Sequence, residues 1–216
     1  MKLGKRLQYL HDIITPDYQH IWDCCCDHGQ LGAALLQSSQ AHVHFVDVVP
    51  ELIDKLQLEL GHYFADYQHR YSTYVMDVAR LPIYQDGSKQ LVIIAGIGGD
   101  LTAELVSKLT ASLDDNIDLL LCPVHHHFTL RERLRELGWK RKHESLVEEN
   151  QRIYEVIYVS QDITAQAVST VGQSIWQQGA LSSRYLAKTL AHYQRVAMGK
   201  PEAQRILDAY QGLAPL

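Results

Sequence analysis

An unbroken apolar run that ends in a glycine turn, LVIIAGIGGDL at residues 91–101, constrains the fold more than any other stretch. Leucine and β-branched residues in a run this short are typical of a strand buried on both faces, as in a parallel sheet. Gly96, Gly98 and Gly99 follow at once, and residues without a side chain let the backbone approach a ligand closely. The stretch predicts a ligand site at the carboxyl end of this strand, with a plain connecting turn as the alternative.

A helix is predicted directly after the glycines. Asp100 is the expected N-cap, and Leu101, Leu105 and Leu109 fall on one helical face. Strand, turn and helix then repeat along most of the chain. The predicted strands are 20–25, 42–47, 71–76, 89–95 and 117–122, followed by 140–148 and 152–160 around a turn at 149–151.

This alternation predicts an α/β fold with a parallel sheet, helices on both faces and a terminal hairpin as an antiparallel edge. Other helices are expected at 2–14, through Gly32, after Pro50 and from a Thr129 cap to Leu137. The pattern changes near Gln161. Residues 181–198 form an amphipathic helix, and a last short helix starts at Pro201. We therefore expect a catalytic domain at 1–160 and a small helical domain at 161–216.

Acidic residues mark the ends of three successive predicted strands: Asp23, Asp47 and Asp77. A carboxylate at the end of the second strand can accept hydrogen bonds from both hydroxyls of a ribose. NAD enzymes and methyltransferases that use S-adenosylmethionine (SAM) share this arrangement. The first turn separates the two classes, because dinucleotide binding requires G-x-G-x-x-G for the pyrophosphate.

The first turn here, DCCCDHGQLG at 23–32, lacks the first two of those glycines. It carries Asp27, whose charge would repel two phosphates and suits the ammonium group of a methionine moiety. The residues therefore favour SAM over NAD. The three adjacent cysteines lack the usual spacing of metal ligands, so no metal site is predicted.

The composition and charge of the chain indicate its class, its location and its possible partners. The 216 residues are 46% hydrophobic and 21% charged, without an apolar run of transmembrane length, so we expect a cytoplasmic protein with no membrane partner. The net charge of −5 argues against a nucleic-acid partner, yet residues 125–143 carry six Lys or Arg against two Glu. Such local basic faces can hold a phosphate backbone, and ordinary solvated faces are the alternative.

Three segments resemble one known family: DCCCDHGQL at 23–31, AGIGG at 95–99 and LGKRL at 3–7. They are similar to the TrmK family of bacterial SAM-dependent tRNA (adenine-N1)-methyltransferases, which act at position 22. The resemblance implies a Rossmann-like class I SAM-dependent methyltransferase sheet with a small C-terminal helical domain. Cys25 departs from the family, which has glycine at that position.

The resemblance and the residue pattern together give the candidate site. Asp27 and His28 match the family's Asp-His pair and are the catalytic candidates. The residues expected to bind SAM are Asp23, Cys25, Asp27, Gly29, Asp47, Val48, Asp77, Val78, Gly96, Ile97 and Gly98.

tRNA is the expected partner. Helical spacing puts Lys5 and Arg6 on one side of the first helix, and Arg184, Lys188 and Arg195 on one side of the 181–198 helix. These five residues are the predicted RNA contacts.

Adenine N1 needs no deprotonation before it attacks a methyl group, so alignment is the main task expected of such a site. The loop His125-His126-His127 lies at the same sheet edge and is either part of a base pocket or simply solvated. The alternatives are a methyltransferase for a small molecule and a SAM-binding protein with weak or no catalysis. The sequence leaves the oligomeric state open.

Overall fold

The computed structural model describes residues 2–110 and 116–213 and contains one seven-stranded sheet. The strands lie in the order β3-β2-β1-β4-β5-β7-β6. All neighbouring pairs up to β5 are parallel, whereas β7 is antiparallel to both β5 and β6. Their bounds are β1 His20–Cys24, β2 His42–Asp47, β3 Tyr71–Val75, β4 Gln90–Ala95, β5 Ile117–Cys122, β6 Lys140–Glu149 and β7 Arg152–Ser160.

The helices alternate with the parallel strands and then follow the hairpin. They are α1 Lys5–Asp12, α2 Gln30–Ser38, α3 Pro50–Tyr63, α4 Gly99–Thr110, α5 His127–Glu136, α6 Ala180–Gly199 and α7 Gln204–Gln211. Short 3-10 helices occupy Ala65–Arg70, Val78–Arg80, Ser174–Gln177 and Pro201–Ala203. The predicted α/β class, the parallel sheet and the antiparallel hairpin are confirmed.

The central strand β4 is buried on both faces, as its apolar run predicts. Successive strand residues point to opposite faces, so Val92 and Ile94 join one core while Leu91 and Ile93 join the other. All four side chains have no exposed surface. The paired register of β1 with β2 and β4 brings the carboxyl ends of these strands to one edge of the sheet.

The chain after β7 returns to the sheet. Ala167 bridges to Lys140 at the start of β6, and the backbone amide of Arg141 donates to the carbonyl oxygen of Gln166 over 2.7 Å. The later helices form a third core that includes side chains from α5 and β6: Phe128, Leu146, Ile175, Trp176, Tyr185 and Tyr210. The division at residue 160 stays a prediction, because this core is shared between the two parts. Within the described residues, no helix is long and apolar enough to cross a bilayer.

Two helix starts differ from their predictions. Helix α4 begins at Gly99, so Asp100 lies in its first turn and is not the N-cap. After Gly99, its next buried residue is Thr102, and Leu101 is 48% exposed. Helix α5 begins at His127 after His126 in a left-handed conformation, so Thr129 is not its cap. Both helices begin earlier because their first turns pack on each other, with the Gly99 amide donating to the His125 carbonyl over 2.9 Å.

The basic segment around α5 is also not a uniform solvated face. Arg131 is fully buried between two buried carboxylates: its Nη1 donates to Glu144 over 2.8 Å and its Nε donates to Glu155 over 2.6 Å. The other oxygen of Glu144 accepts from the backbone amides of Gln173 and Ser174, both over 2.6 Å. These bonds fix the segment after β7 to the sheet.

Replacing Arg131 with Met should destabilise the protein by about 3–5 kcal/mol, because two buried carboxylates would lose their shared cation. The matched control is Arg133→Met on the same helix. Arg133 is 48% exposed and pairs with Glu136, so its loss should cost about 0–1 kcal/mol. Urea unfolding of both variants measures the difference, and equal midpoints would contradict the structural role of Arg131.

Candidate active site

The turns that follow β1 and β2 are joined by the carboxylate of Asp47. Its Oδ2 accepts from the Asp27 amide over 3.2 Å, and its Oδ1 accepts from the Val49 amide over 3.1 Å. Asp47 is 8% exposed. Each carboxylate oxygen can accept more than one bond, so Asp47 can hold the two turns together and still accept from a ligand.

The first turn contains three residues in the left-handed region: Cys25 (φ 55°), Asp27 (φ 49°) and Gly29 (φ 60°). Only one of them is glycine. A left-handed conformation costs roughly 1–2 kcal/mol for a residue with a side chain. The Cys26 amide, which donates to the Val46 carbonyl over 3.2 Å, helps to hold this unfavourable loop.

Asp23 lies beneath the first turn and not in its opening. It is 5% exposed, and its Oδ2 accepts from the Gly32 amide over 2.9 Å. Burial raises the pKa of Asp23 to about 7, although the bond from Gly32 opposes that rise. A side chain at residue 32 would meet both Phe45 and Asp23, because its Cβ would lie 2.3 Å from the Phe45 ring.

The Cys25 thiol lies close to the carboxylates of the first three strand ends. Burial raises its pKa to about 11, and the charges of Asp47, Asp23 and Asp77 add to that effect. The thiol is therefore neutral at physiological pH. Strand pairing accounts for this proximity, because Asp23 lies opposite Phe45, two residues before Asp47, and Asp47 lies opposite Val75, two residues before Asp77.

The remaining predicted cofactor residues on this side differ in access. Asp77 is exposed and accepts from the Ala79 amide over 2.9 Å, so it also caps the 3-10 helix that follows. Val48 is 62% exposed beside Asp47, whereas the Val78 side chain is 3% exposed and belongs to the core. Of these two valines, only Val48 has an exposed side chain at this edge.

The glycine turn after β4 packs against the loop after β5. Gly96 has φ 94°, a conformation that favours glycine. A Cβ at Gly98 would lie 2.4 Å from Cε1 of His125, and a Cβ at Gly99 would lie 2.3 Å from the His126 carbonyl oxygen. The Val124 amide donates to the Ile97 carbonyl over 2.9 Å. Gly99 is thus required for the two loops to pack together, and a side chain at Gly98 would have to displace the His125 ring.

We call residues 125–127 the triple-histidine loop. His126 pairs through Nδ1 with Asp100 of α4, and His127 lies 3.3 Å from the hydroxyl of Tyr185 on α6. Burial lowers the pKa of His127, although the charge of Glu155 opposes that effect. A cleft of about 270 Å³ separates this loop from α6, lined by Val124, His125, His126, His127, Ile153, Tyr185, Lys188, Thr189, His192, Tyr193 and Tyr210.

The two catalytic candidates lie at the surface. Asp27 Oδ1 and His28 Nε2 are 3.6 Å apart, and their side chains are 67% and 51% exposed. His28 also borders a separate cleft between α2 and α3 that includes Leu56 and Tyr63. A catalytic role for this pair stays a prediction.

The predicted RNA contacts are not equally available. Lys5 is exposed, but the guanidinium of Arg6 turns inward, 5.2 Å from the Tyr154 ring centre. Its Nη1 would lie 3.9 Å from a Cβ at Gly96. Arg6 therefore does not share an open face with Lys5.

On α6, Arg184 forms an ion pair with Glu148, and Lys188 Nζ donates to the Gln151 carbonyl over 3.3 Å. Arg195 donates to the Ala191 carbonyl of its own helix over 3.3 Å. All three are exposed, and Lys188 also borders the cleft beside the triple-histidine loop.

Residues 3–157 match the family model described as a methyltransferase domain. The chain belongs to the methyltransferase domain family. No curated protein matches the chain.

Solved structures resemble it over nearly its whole length. The Bacillus subtilis M1A22 tRNA methyltransferase TrmK is 20% identical, with 97% of each chain covered and a TM-score of 0.82. A putative tRNA (m1A22) methyltransferase of Streptococcus pneumoniae in complex with S-adenosyl-L-methionine is 20% identical, with 97% of each chain covered and a TM-score of 0.74. TrmK of M. capricolum with S-adenosyl-homocysteine is 15% identical, covers 98% of this chain and 97% of its own, and has a TM-score of 0.78. These likenesses confirm the predicted fold.

The sequence patterns did not identify the tail residues that border this cleft. Tyr185, His192 and Tyr193 border the cleft, and Glu155 accepts a 2.5 Å hydrogen bond from the Tyr185 hydroxyl. A glutamate inside an otherwise apolar strand, as in YEVIYV, was the available signal for Glu155. Nothing local in the sequence indicates that α6 meets the loop after β5.

Gly98→Val should abolish methyl transfer while the protein stays folded, because the new side chain would displace the His125 ring from the turn. Thermal unfolding and a methyl-transfer assay measure the two effects. Gly98→Ala combined with His125→Ala should recover stability lost in Gly98→Ala alone, since the clash needs both side chains. No recovery in the double variant would place the clash elsewhere.

Proposed function

We propose that this methyltransferase domain uses SAM to methylate N1 of an adenosine in tRNA, with position 22 as the expected target. The observation that carries the proposal is the set of acidic strand ends beside a glycine turn. The similar structures support it: one is named as an M1A22 tRNA methyltransferase and one as a putative tRNA (m1A22) methyltransferase, a third is named as TrmK, and two of the three hold SAM or its demethylated product.

The residues present fit the cofactor. SAM is cationic at its sulfonium and ammonium groups and carries a ribose diol, which matches carboxylates that accept hydrogen bonds. Asp47 would hold the ribose hydroxyls, Val48 would contact the adenine face, and Asp27 would face the ammonium group. Gly96, Ile97 and Gly98 would line the reacting end. When bound, SAM supplies a methyl group on a positively charged sulfur.

The protein's own contribution is alignment and electrostatics. Adenine N1 has a lone pair in the ring plane, so no side chain has to remove a proton before it reacts. The methylated base is positively charged, and carboxylates at this edge favour that charge. Asp100 is the carboxylate closest to the glycine turn in sequence, and it pairs with His126, which is one of the residues that line the cleft. Asp27 is a second exposed carboxylate at the same edge of the sheet.

The deciding experiment is mass spectrometry of nucleosides. Total tRNA from a host that lacks the gene is incubated with the protein and labelled SAM, then digested. Labelled 1-methyladenosine is the expected product. Label in another nucleoside would change the target, and binding of SAM without any labelled nucleoside would favour a small-molecule substrate or a non-catalytic protein.

Asp47→Ala should weaken SAM binding by about 1–3 kcal/mol, because it removes a charged acceptor of hydrogen bonds. Asp47→Asn removes the charge but keeps a carbonyl oxygen that can accept from one backbone amide. Comparing it with Asp47→Ala separates the effect of the lost charge from the effect of a less ordered loop. Isothermal titration calorimetry measures the affinity, with Asp54→Ala on α3 as the control for an exposed acid. Wild-type affinity in a folded Asp47→Ala protein would contradict this placement of the ribose.

The tail should contribute to RNA binding. Alanine at Arg184, Lys188 and Arg195 should weaken tRNA binding and flatten its dependence on log salt by about one unit of slope for each phosphate that is no longer neutralised. A triple alanine variant at Lys55, Lys89 and Lys108, which pair with carboxylates away from α6, is the matched control. Gel shifts at several salt concentrations measure both. Wild-type affinity and slope in the α6 variant would assign the tail another role.

A further inference from the structure

The cleft between the triple-histidine loop and α6 begins at the glycine turn. The His125 ring forms part of the cleft wall, and the same ring packs on Gly98, where a Cβ would come within 2.4 Å of it. The cleft therefore adjoins the reacting end of the proposed cofactor site. The triple-histidine loop and α6 form opposite sides of the cleft.

The side chains that line the cleft have the properties of a stacking site for a nucleobase. His125 and His192 are exposed rings on opposite sides, and exposed Lys188 lies one helical turn before His192. Tyr193 is less available, because its ring stacks on Tyr210 with centres 5.8 Å apart. Flat rings beside a cation are how proteins hold unstacked bases and their phosphates.

The size of the cleft fits one nucleoside. Its volume of about 270 Å³ lies just below the roughly 300–1,000 Å³ of pockets for drug-sized ligands. A base in a folded RNA cannot react at its ring nitrogen while it is paired and stacked, so it must leave the stack. A cleft of this size beside the glycine turn can take a base that has done so.

We propose that this cleft receives the extruded target nucleotide, with the base between His125 and His192 and its phosphate at Lys188. The inference rests on the proposed function and names the half of the site that belongs to the RNA. The α6 wall is fixed, because Tyr185 donates to buried Glu155 over 2.5 Å and lies 3.3 Å from His127. The tail is thus required for the substrate pocket as well as for binding the RNA backbone.

His192→Ala tests the stacking role. We expect kcat/KM for total tRNA from a host lacking the gene to fall about tenfold, the effect of removing one ring on which a base stacks. The Kd for SAM should be unchanged in calorimetry. His192→Phe keeps a flat ring and should retain activity near wild type. The control is His62→Ala, which removes an exposed histidine from α3 and should leave both quantities unchanged.

Lys188→Gln should raise KM for tRNA and reduce the salt slope by about one, with kcat unchanged, if this residue meets a phosphate. Full activity in His192→Ala would overturn the proposed pocket, and so would equal losses in His192→Ala and His192→Phe when both are folded. Failure of the proposed function looks different, because the wild-type protein would then label no tRNA at all.

Discussion

One buried guanidinium, that of Arg131, is central to the attachment of the segment after β7 to the sheet. Arg131 has no exposed surface and meets two carboxylates that are also buried, Glu144 on β6 and Glu155 on β7. Burial raises the pKa of Glu155, but the charges of Arg131 and His127 and the hydrogen bonds from Tyr185 and Arg131 together outweigh it and leave that pKa below its usual value. Taking three charges out of water is costly, and only well-placed hydrogen bonds offset the cost. The backbone amides of Gln173 and Ser174 supply such bonds to Glu144.

The same cluster extends to the site. Glu155 also accepts from Tyr185 of α6, and Tyr185 lies beside His127 at the start of α5. The loop before α5 in turn packs on Gly98 and Gly99. A chain of contacts thus runs from the buried charge, through the tail helix, to the turn at which a methyl group would be transferred. The buried cluster therefore sets the position of both walls of the cleft.

The sheet could be predicted because its signals are local. The strands β2 and β5 match their predicted bounds, since apolar runs ended by Asp47 and Pro123 leave little choice. The loop after β5 could not be predicted. Thr129 looks like a helix cap, but a contact between two distant loops starts the helix at His127 instead. Arg131 reads as a surface charge in a basic segment, because its partners are 13 and 24 residues away in the chain.

The candidate site could likewise be predicted where its signals are local and could not be predicted where it depends on contacts between distant segments. The acids at strand ends follow from sequence, since parallel strands bring their carboxyl ends to one edge. Helical periodicity predicts which face of a helix a residue occupies, but not which element packs against that face. Arg6 is an example. Its position beside Tyr154 depends on how α1 meets the β6–β7 hairpin.

The two walls of the cleft come from parts of the chain that are made at different times. The sheet and the triple-histidine loop are complete once β7 has been synthesised, whereas Lys188 and His192 follow about thirty residues later. Because N-terminal units generally fold first during translation, a nascent chain would hold the cofactor half of its site before it has a place for a base. We therefore expect a ribosome-bound chain that ends after β7 to lack one wall of the cleft, and the complete cleft to form only after α6 has been made.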